Sequence, residues 1–329
     1  MKARNVLLPG AALLILLSVA AMAARMGFVF YLGEPGPSDA AKTIVLPKGT
    51  GSSEMGRLLE DAGVIDSALL WPLTVKLSGR QPLKAGEYEF PAHASLASVL
   101  DLLRSGKVVV HKLTIAEGLT VKQIKSLIAN APAMAGAVEG EAAEGSILPA
   151  TYFYTYGDDR GLLLARMQRG MAEMLESLWA QRAPDPLVPD KQTALILASI
   201  VERETGLPEE RPHVAAVFLN RLRLHMRLQS DPTVIYAISQ GAGVLDHPLG
   251  HADLAFASPY NSYANDGLPP GPICNPGRAS LTAVLHPLAS DDLYFVADGS
   301  GGHAFAKSLA EHNKNVTRLR QSEKNGADK

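Results

Sequence analysis

Two acids, Glu202 and Glu204, close an apolar stretch whose composition could hold a carboxyl group away from water. Asp190-Lys191-Gln192 leads into eight residues, 194–201, of which only Ser199 is polar, and Glu202-Arg203-Glu204-Thr205, Gly206 and Pro208 follow. Asp190 is suited to an N-cap, Gly206 to a C-terminal stop, and Pro208 forbids continuation, so about four turns of helix are expected. Acidic groups in a last turn oppose the helix dipole by about 0.3–1 kcal/mol. Desolvation is the larger effect, able to raise a buried carboxyl by roughly 3–5 pH units. Both favour a protonated acid near neutrality, the state a general acid needs. Residues two apart on a helix point about 200° from each other, so only one of the pair is expected in a cleft. Periodicity leaves open which one, and a solvated helix end is the plain alternative.

Other polar residues gather in the C-terminal half. Asn220-Arg221-Leu222 and Met226-Arg227-Leu228-Gln229-Ser230-Asp231-Pro232-Thr233 flank a passage from a helix into a Pro-started segment, with Asp231-Pro232 also readable as an N-cap and N1 pair. Tyr260, Asn261 and Tyr263 offer the aromatic faces and amide donors of a sugar cleft, or are loop residues serving their own backbone. His247 and His251 are separated by Pro248 and Gly250, which disfavours a helical metal pair. No metal and no cofactor is expected. A Gly-x-Ser-x-Gly elbow, a Walker A loop and a dinucleotide fingerprint are all missing.

The elements that carry these residues follow from pattern. With 329 residues, 47% of them hydrophobic, the chain can build one large core or two moderate ones. Its 31 Lys+Arg against 33 Asp+Glu give no broad basic field, so nucleic acid is set aside as a partner. The single Cys274 excludes an intrachain disulfide. Lys2 and Arg4 precede an uncharged run of 19 residues that opens at Val6 and closes at Ala24, about 28 Å of helix and nearly a bilayer core. Arg25 can snorkel if the span reaches Leu32. Positive charge at the start predicts a cytoplasmic N-terminus. A cleaved signal peptide ending near Ala21-Met22-Ala23 is the competing reading, and both export the remainder.

Residues 33–42, with Glu34-Pro35-Gly36-Pro37-Ser38, read as a stiff linker. Three units of a β-rich run followed by a capped helix occupy 43–63, 86–106 and 109–130, their helices at 53–62, 96–104 and 121–129. Ser95 and the Thr120/Gln123 capping box mark starts, while Gly63, Gly106 and Asn130 mark stops. A further helical stretch, 67–78, is interrupted at Pro72. Residues 131–145 are expected as a loose connection. The second domain, 146–320, should contain helices at 161–181, 191–204, 214–228 and 307–319, a strand at 293–297, a hairpin turn before His303, and a Gly/Pro-rich stretch at 240–277 of the kind that lines binding sites. A polar tail, 321–329, ends the chain. The fold class is α+β.

Several long stretches in order give a resemblance: Lys84-Ala85-Gly86-Glu87-Tyr88-Glu89-Phe90, Ala198-Ser199-Ile200-Val201-Glu202-Arg203-Glu204-Thr205, Met226 to Tyr236, the loop from Tyr260 to Gly277, Tyr294-Phe295-Val296, Gly302-His303-Ala304-Phe305 and Glu311-His312-Asn313. On these the chain resembles the endolytic murein transglycosylases of the YceG-like (MltG) family. The resemblance implies an N-terminal transmembrane anchor, a LysM-like module at 43–130 and a catalytic domain at 146–320. It implies that Glu204 is the catalytic acid, with Glu202, Arg221, Gln229, Asp231, Asn261, Tyr263, Asn275 and His303 binding substrate or supporting the site. The expected reaction is non-hydrolytic cleavage of the MurNAc-GlcNAc bond in nascent glycan strands, leaving a 1,6-anhydro end. Peptidoglycan strands and the inner membrane are the expected partners, peptidoglycan synthases further candidates, and the catalytic domain is expected in the periplasm. A muramidase-type hydrolase and a non-catalytic peptidoglycan-binding scaffold are the alternatives. One departure stands at Pro149-Ala150-Thr151-Tyr152, where Ala150 replaces the family's usual acidic residue.

Overall fold

The structure, a computed structural model, describes residues 7–79 and 81–327. It is α+β, with one long apolar N-terminal helix and three two-stranded sheets among the described residues. Helix α1 (Leu7–Gly33) contains a 23-residue stretch, Ala11–Gly33, long and apolar enough to cross a membrane, about 35 Å at 1.5 Å per residue. The expected start at Val6 lies outside the described residues, and the helix runs past Ala24 and Arg25 to Gly33. The chain divides into two compact units, residues 1–111 with 154–157, and residues 112–153 with 158–329.

In the first unit, β1 (Lys42–Leu46) pairs antiparallel with β2 (Gly86–Phe90), Leu46 opposite Gly86 and Lys42 opposite Phe90. Helices α2 (Ser52–Asp61), α3 (Trp71–Leu77) and α4 (Leu96–Ser105) pack around Leu46, Leu59, Trp71, Tyr88, Phe90, Val99 and Leu103. Ser95 caps α4 by accepting from the Ser98 amide, and Gly106, left-handed at φ 71°, ends it. Pro72 does not interrupt a helix. It sits in the first turn of α3, where a proline removes no needed hydrogen bond. The linker after α1 is laid against this unit instead of projecting as a spacer. Ser38 is buried and its carbonyl accepts from the His93 amide (2.7 Å).

The second unit begins earlier than sequence suggests. Its first elements are β3 (His111–Thr114) and α5 (Val121–Ala129), the latter opened by the Thr120/Gln123 capping box. Ile124 and Ile128 of α5 pack with Leu163, Leu164 and Met167 of α6 (Arg160–Trp179). The third strand-helix repeat therefore belongs here, and the boundary falls at His111, not Asn130. Residues 131–145 are not loose either. The Arg160 guanidinium donates to the carbonyls of Ile128, in the last turn of α5, and of Ala131, Met134 and Gly136 beyond it, at 2.8–3.0 Å, tying the start of the segment down. Strand β4 (Thr151–Tyr154) pairs with β3.

Helix α7 (Lys191–Glu204) is the centre of the larger core, packed with α8 (Arg211–Arg223) and α10 (Arg278–Leu285). All eight residues from Ala194 to Val201 are buried, so this is a core rod rather than a one-faced surface helix. Helix α8 stops at Leu224, short of the expected 228. His225 (φ 55°) turns the chain away, and α9 (Asp231–Ile238) follows. Between α9 and α10 the only regular element is the short 3-10 turn Asp253–Ala255. Strands β5 (Tyr294–Ala297) and β6 (His303–Ala306) form an antiparallel hairpin pairing Ala297 with His303. Its turn is held by Asp298, whose carboxylate accepts from the Ser300 amide (2.7 Å) and hydroxyl (2.7 Å). Helix α11 (Leu309–Ala327) continues through most of the expected polar tail, of which residues 328 and 329 lie outside the described residues.

Candidate active site at the end of the buried helix

Glu204 is the last residue of α7, and what ends the helix is Thr205, not Gly206. Thr205 turns extended (φ −137°, ψ 134°), its hydroxyl donating to Glu210 Oε2 (3.0 Å) and accepting from the Leu207 amide (3.1 Å). The helix start is fixed by Asp190, whose carboxylate accepts from the Thr193 amide (2.7 Å). With both ends tied and the middle buried, the Glu204 carboxyl is delivered to one place. Burial pushes it up to about 7. The Ser230 hydroxyl, donating to Oε1, pulls it down. The Asp231 charge raises it, and His303 and Arg221 lower it. Near neutrality such a group is close to half protonated, able to give a proton and take one back.

Ser230 is the residue sequence reasoning missed. It occupies the N-cap position of α9, so Asp231 and Pro232 are N1 and N2, one place later than the cap reading. Its hydroxyl makes no capping bond and goes to Glu204 instead. Buried polar neighbours hold it. The Ser230 amide donates to Ser262 Oγ (2.9 Å), its carbonyl accepts from Thr233 Oγ1 (2.7 Å), and those two hydroxyls meet at 2.8 Å. The preceding Gln229 is left-handed at φ 50°, a conformation uncommon outside glycine and often stored at functional sites.

Arg221, Tyr263 and His303 surround this acid, and Gln229 meets Arg221. Arg221 Nε donates to the Leu293 carbonyl (2.7 Å) and Nη1 to the Leu228 carbonyl (2.9 Å) and Gln229 Oε1 (3.4 Å), while the guanidinium lies 5.2 Å from the Tyr294 ring centre. Burial lowers its pKa, though it stays a cation near neutral pH. Tyr263 donates its hydroxyl to Asp231 Oδ1 (2.5 Å); burial foremost, and then that carboxylate, raise the phenol. His303 is oriented by Glu210, whose two oxygens take its amide (2.7 Å) and Nδ1 (2.7 Å). Burial works against ionisation of Glu210, yet the His303 and Thr205 hydrogen bonds hold that carboxyl below the usual range. Nothing in the turn that carries Glu210 marked it in the sequence.

Three expected residues serve the framework. Glu202 is buried and fully engaged, Oε1 accepting from Arg211 Nη2 (2.9 Å) and Oε2 from the Gly277 amide (2.8 Å). Of the two acids, Glu204 is the one whose carboxyl is not consumed by an ion pair. Asn261 is fully buried and donates to the carbonyls of Leu254 (3.0 Å) and Phe256 (2.8 Å), while its oxygen takes the Tyr263 amide (2.9 Å). Asn275, also fully buried, accepts from the Ile147 amide (2.8 Å) and donates to the Leu119 carbonyl (2.9 Å) and Glu144 Oε1 (3.1 Å). Ala150 packs at the edge of the Ile124 cluster, its carbonyl accepting from the Ile115 amide (2.9 Å). His247 lies between Asp246 Oδ1 (2.7 Å) and Asp253 Oδ2 (3.2 Å), and no group of three or more metal-ligating side chains occurs among the described residues.

The YceG-like family model matches residues 44–318, spanning both units and every residue of this site. The chain belongs to the YceG-like family. Among its relatives, the endolytic murein transglycosylase of Bacillus subtilis is 31% identical over 317 residues, 85% of this chain and 86% of that protein. The endolytic murein transglycosylase of Streptococcus pneumoniae is 28% identical over 355 aligned positions, 92% of this chain, which spans only 63% of that protein's length. The crystal structure of a YceG-like protein from Listeria monocytogenes matches 84% of this chain and 99% of its own at 32% identity, with a TM-score of 0.53. In this YceG-like chain, then, the acid at the end of α7 sits within a matched domain, and its supports come from α8, α9, the 239–277 segment and the β5-β6 hairpin.

Proposed function

We propose that this protein is a membrane-tethered endolytic lytic transglycosylase that cuts peptidoglycan, with Glu204 as its single acid and base. The observation that carries the reading is a carboxyl brought to about 7 by burial at the end of a rigid helix, while its neighbour Glu202 is committed to Arg211 and the Gly277 amide. Protonated Glu204 gives its proton to the glycosidic oxygen between MurNAc and GlcNAc as the C1–O bond breaks and C1 gains oxocarbenium character. Ionised Glu204 then takes the proton of the MurNAc 6-hydroxyl while that oxygen bonds to C1, closing a 1,6-anhydro ring. Atoms balance without water, so no second carboxylate is required. Ser230 donates to Oε1 and so leaves Oε2 as the oxygen that handles the proton. Arg221, oriented by backbone carbonyls, and His303, oriented by Glu210, supply fixed polarity around the acid.

The first unit is proposed as a LysM-like module gripping the glycan. Helix α1 is proposed as the anchor, with the basic residues Lys2 and Arg4 that precede it in sequence cytoplasmic and the site periplasmic, beside the synthases that make the strands. Cutting new strands there would set or terminate their length. Digestion of purified peptidoglycan with the full-length protein and its Glu204→Gln variant, followed by mass spectrometry, tests this. Anhydro ends that vanish in the variant are expected. Reducing ends would make the protein a muramidase, with Asp231 the carboxyl left to serve it. Undiminished cleavage by the variant would remove Glu204 from the acid role, and binding without any cleavage would mark a scaffold.

A further inference from the structure

Helix α3 is apolar on both sides. Trp71 and Thr74 are buried in the first unit's core and Val75 packs against it. On the opposite side Leu70, Leu73 and Leu77, at i, i+3 and i+7, are 46%, 52% and 60% exposed, and Leu69 just before them is 85% exposed. Lys76 is the helix's one charged residue. Three large aliphatic side chains on one strip, with Leu69 exposed just before them, exceed the scattered apolar exposure that needs no explanation.

The path of the chain out of α1 says what covers the strip. Leu32, one residue before the end of α1, packs against the same core cluster that buries Trp71. Three residues beyond α1, a Cβ on Gly36 would lie 2.4 Å from the Ala94 carbonyl oxygen and 2.9 Å from that of Val64, so backbone presses on backbone there. The Gly36 carbonyl also takes His93 Nδ1 (3.3 Å). The unit is therefore seated directly on the end of α1, with no slack to lift it into solvent. Val64 opens the segment that leads to Leu69, at most about 18 Å of chain away.

We propose that Leu69, Leu70, Leu73 and Leu77 form a second membrane contact, dipping into the headgroup and acyl boundary beside α1. This rests on the anchor reading above and adds to it. A short apolar strip lying in the interface fixes the tilt of the unit, where a lone spanning helix would let it turn about its axis. Apolar insertion is the source of binding, so the contact is largely insensitive to salt.

The test uses the full chain in phosphatidylcholine vesicles containing phosphatidylglycerol. The native thiol, Cys274, is buried, so single cysteines introduced as Leu73→Cys and Leu77→Cys can be labelled with an environment-sensitive fluorophore. Val19→Cys in α1 and Glu173→Cys on α6 are the references. Blue-shifted emission at 73 and 77, quenched by lipids carrying a nitroxide near the headgroup, is the expected result, against no quenching at 173. Water-like emission at 73 and 77 with a lipid-quenched label at 19 overturns this contact and leaves the anchor intact. Blue-shifted but unquenched labels mean that protein, a second copy included, covers the strip, and also overturn it. A water-exposed label at 19 overturns the anchor and the contact together.

Discussion

Replacing Glu204 with glutamine should stabilise the protein at alkaline pH. The carboxyl is near 7 when folded against an ordinary value near 4.5. The native state therefore holds this proton more tightly than the unfolded chain does. Between about 4.5 and 7 the unfolded state loses its proton first, so wild-type stability falls as pH rises, and the deficit is complete above about 7. At about 1.4 kcal/mol per pH unit the deficit is on the order of 3 kcal/mol. Glutamine keeps an oxygen for the Ser230 hydroxyl and carries no charge to desolvate. The variant should match wild type at pH 4 and exceed it by on the order of 3 kcal/mol at pH 8. Trp179 lies in the second unit and Trp71 in the first, so urea unfolding in a Trp71→Phe background, followed by fluorescence, reads the unit that carries the site. A difference that stays constant from pH 4 to pH 8 would mean that folding leaves the carboxyl's ionisation unchanged, and the desolvation reasoning would fail.

Ser230→Ala removes the hydrogen bond that favours ionised Glu204, so its carboxyl should rise further. The alkaline limb of kcat/KM against pH should move up by about one pH unit, since such a bond contributes about 1.5 kcal/mol; Ser230→Thr should restore the wild-type profile, and an unmoved limb in the alanine variant would count against the assignment. Glu202→Gln leaves the buried Arg211 without its closest carboxylate and should cost about 3 kcal/mol in urea unfolding. Adding Arg211→Met should recover most of that loss, and failure to recover would show that the Gly277 amide, not the ion pair, is the larger partner.

Local signals were read well from sequence because their partners lie within a turn. Ser95, Thr120 with Gln123, and Asp190 each cap the helix they precede. The apolar run before Glu202 points to a buried helix because eight residues with one polar member leave no face for water. What sequence left open was decided by long-range contacts. Glu202 and Glu204 are alike in composition, and they differ only because Arg211, nine residues on, and the Gly277 amide, 75 residues on, take up the first. The part Ser230 plays depends on an acid 26 residues away, and the local pattern points to the neighbouring Asp231-Pro232 as the cap instead. The domain boundary was misplaced because the repeat at 109–130 resembles the first two, while its helix finds its apolar partners in α6, dozens of residues later. The family resemblance read in the sequence motifs agrees with the match over residues 44–318.

The burial of α7 along eight consecutive residues leaves the acid without any travel of its own. A rod gripped on all sides cannot slide, roll or tilt toward a ligand without opening the interior of the unit. If Glu204 is the acid proposed above, recognition falls to the polymer: a segment able to present its bond at that fixed point, in register and suitably bent, is acted on, and one that cannot is passed over. Selectivity among strands becomes a question of their stiffness as much as of their chemical makeup.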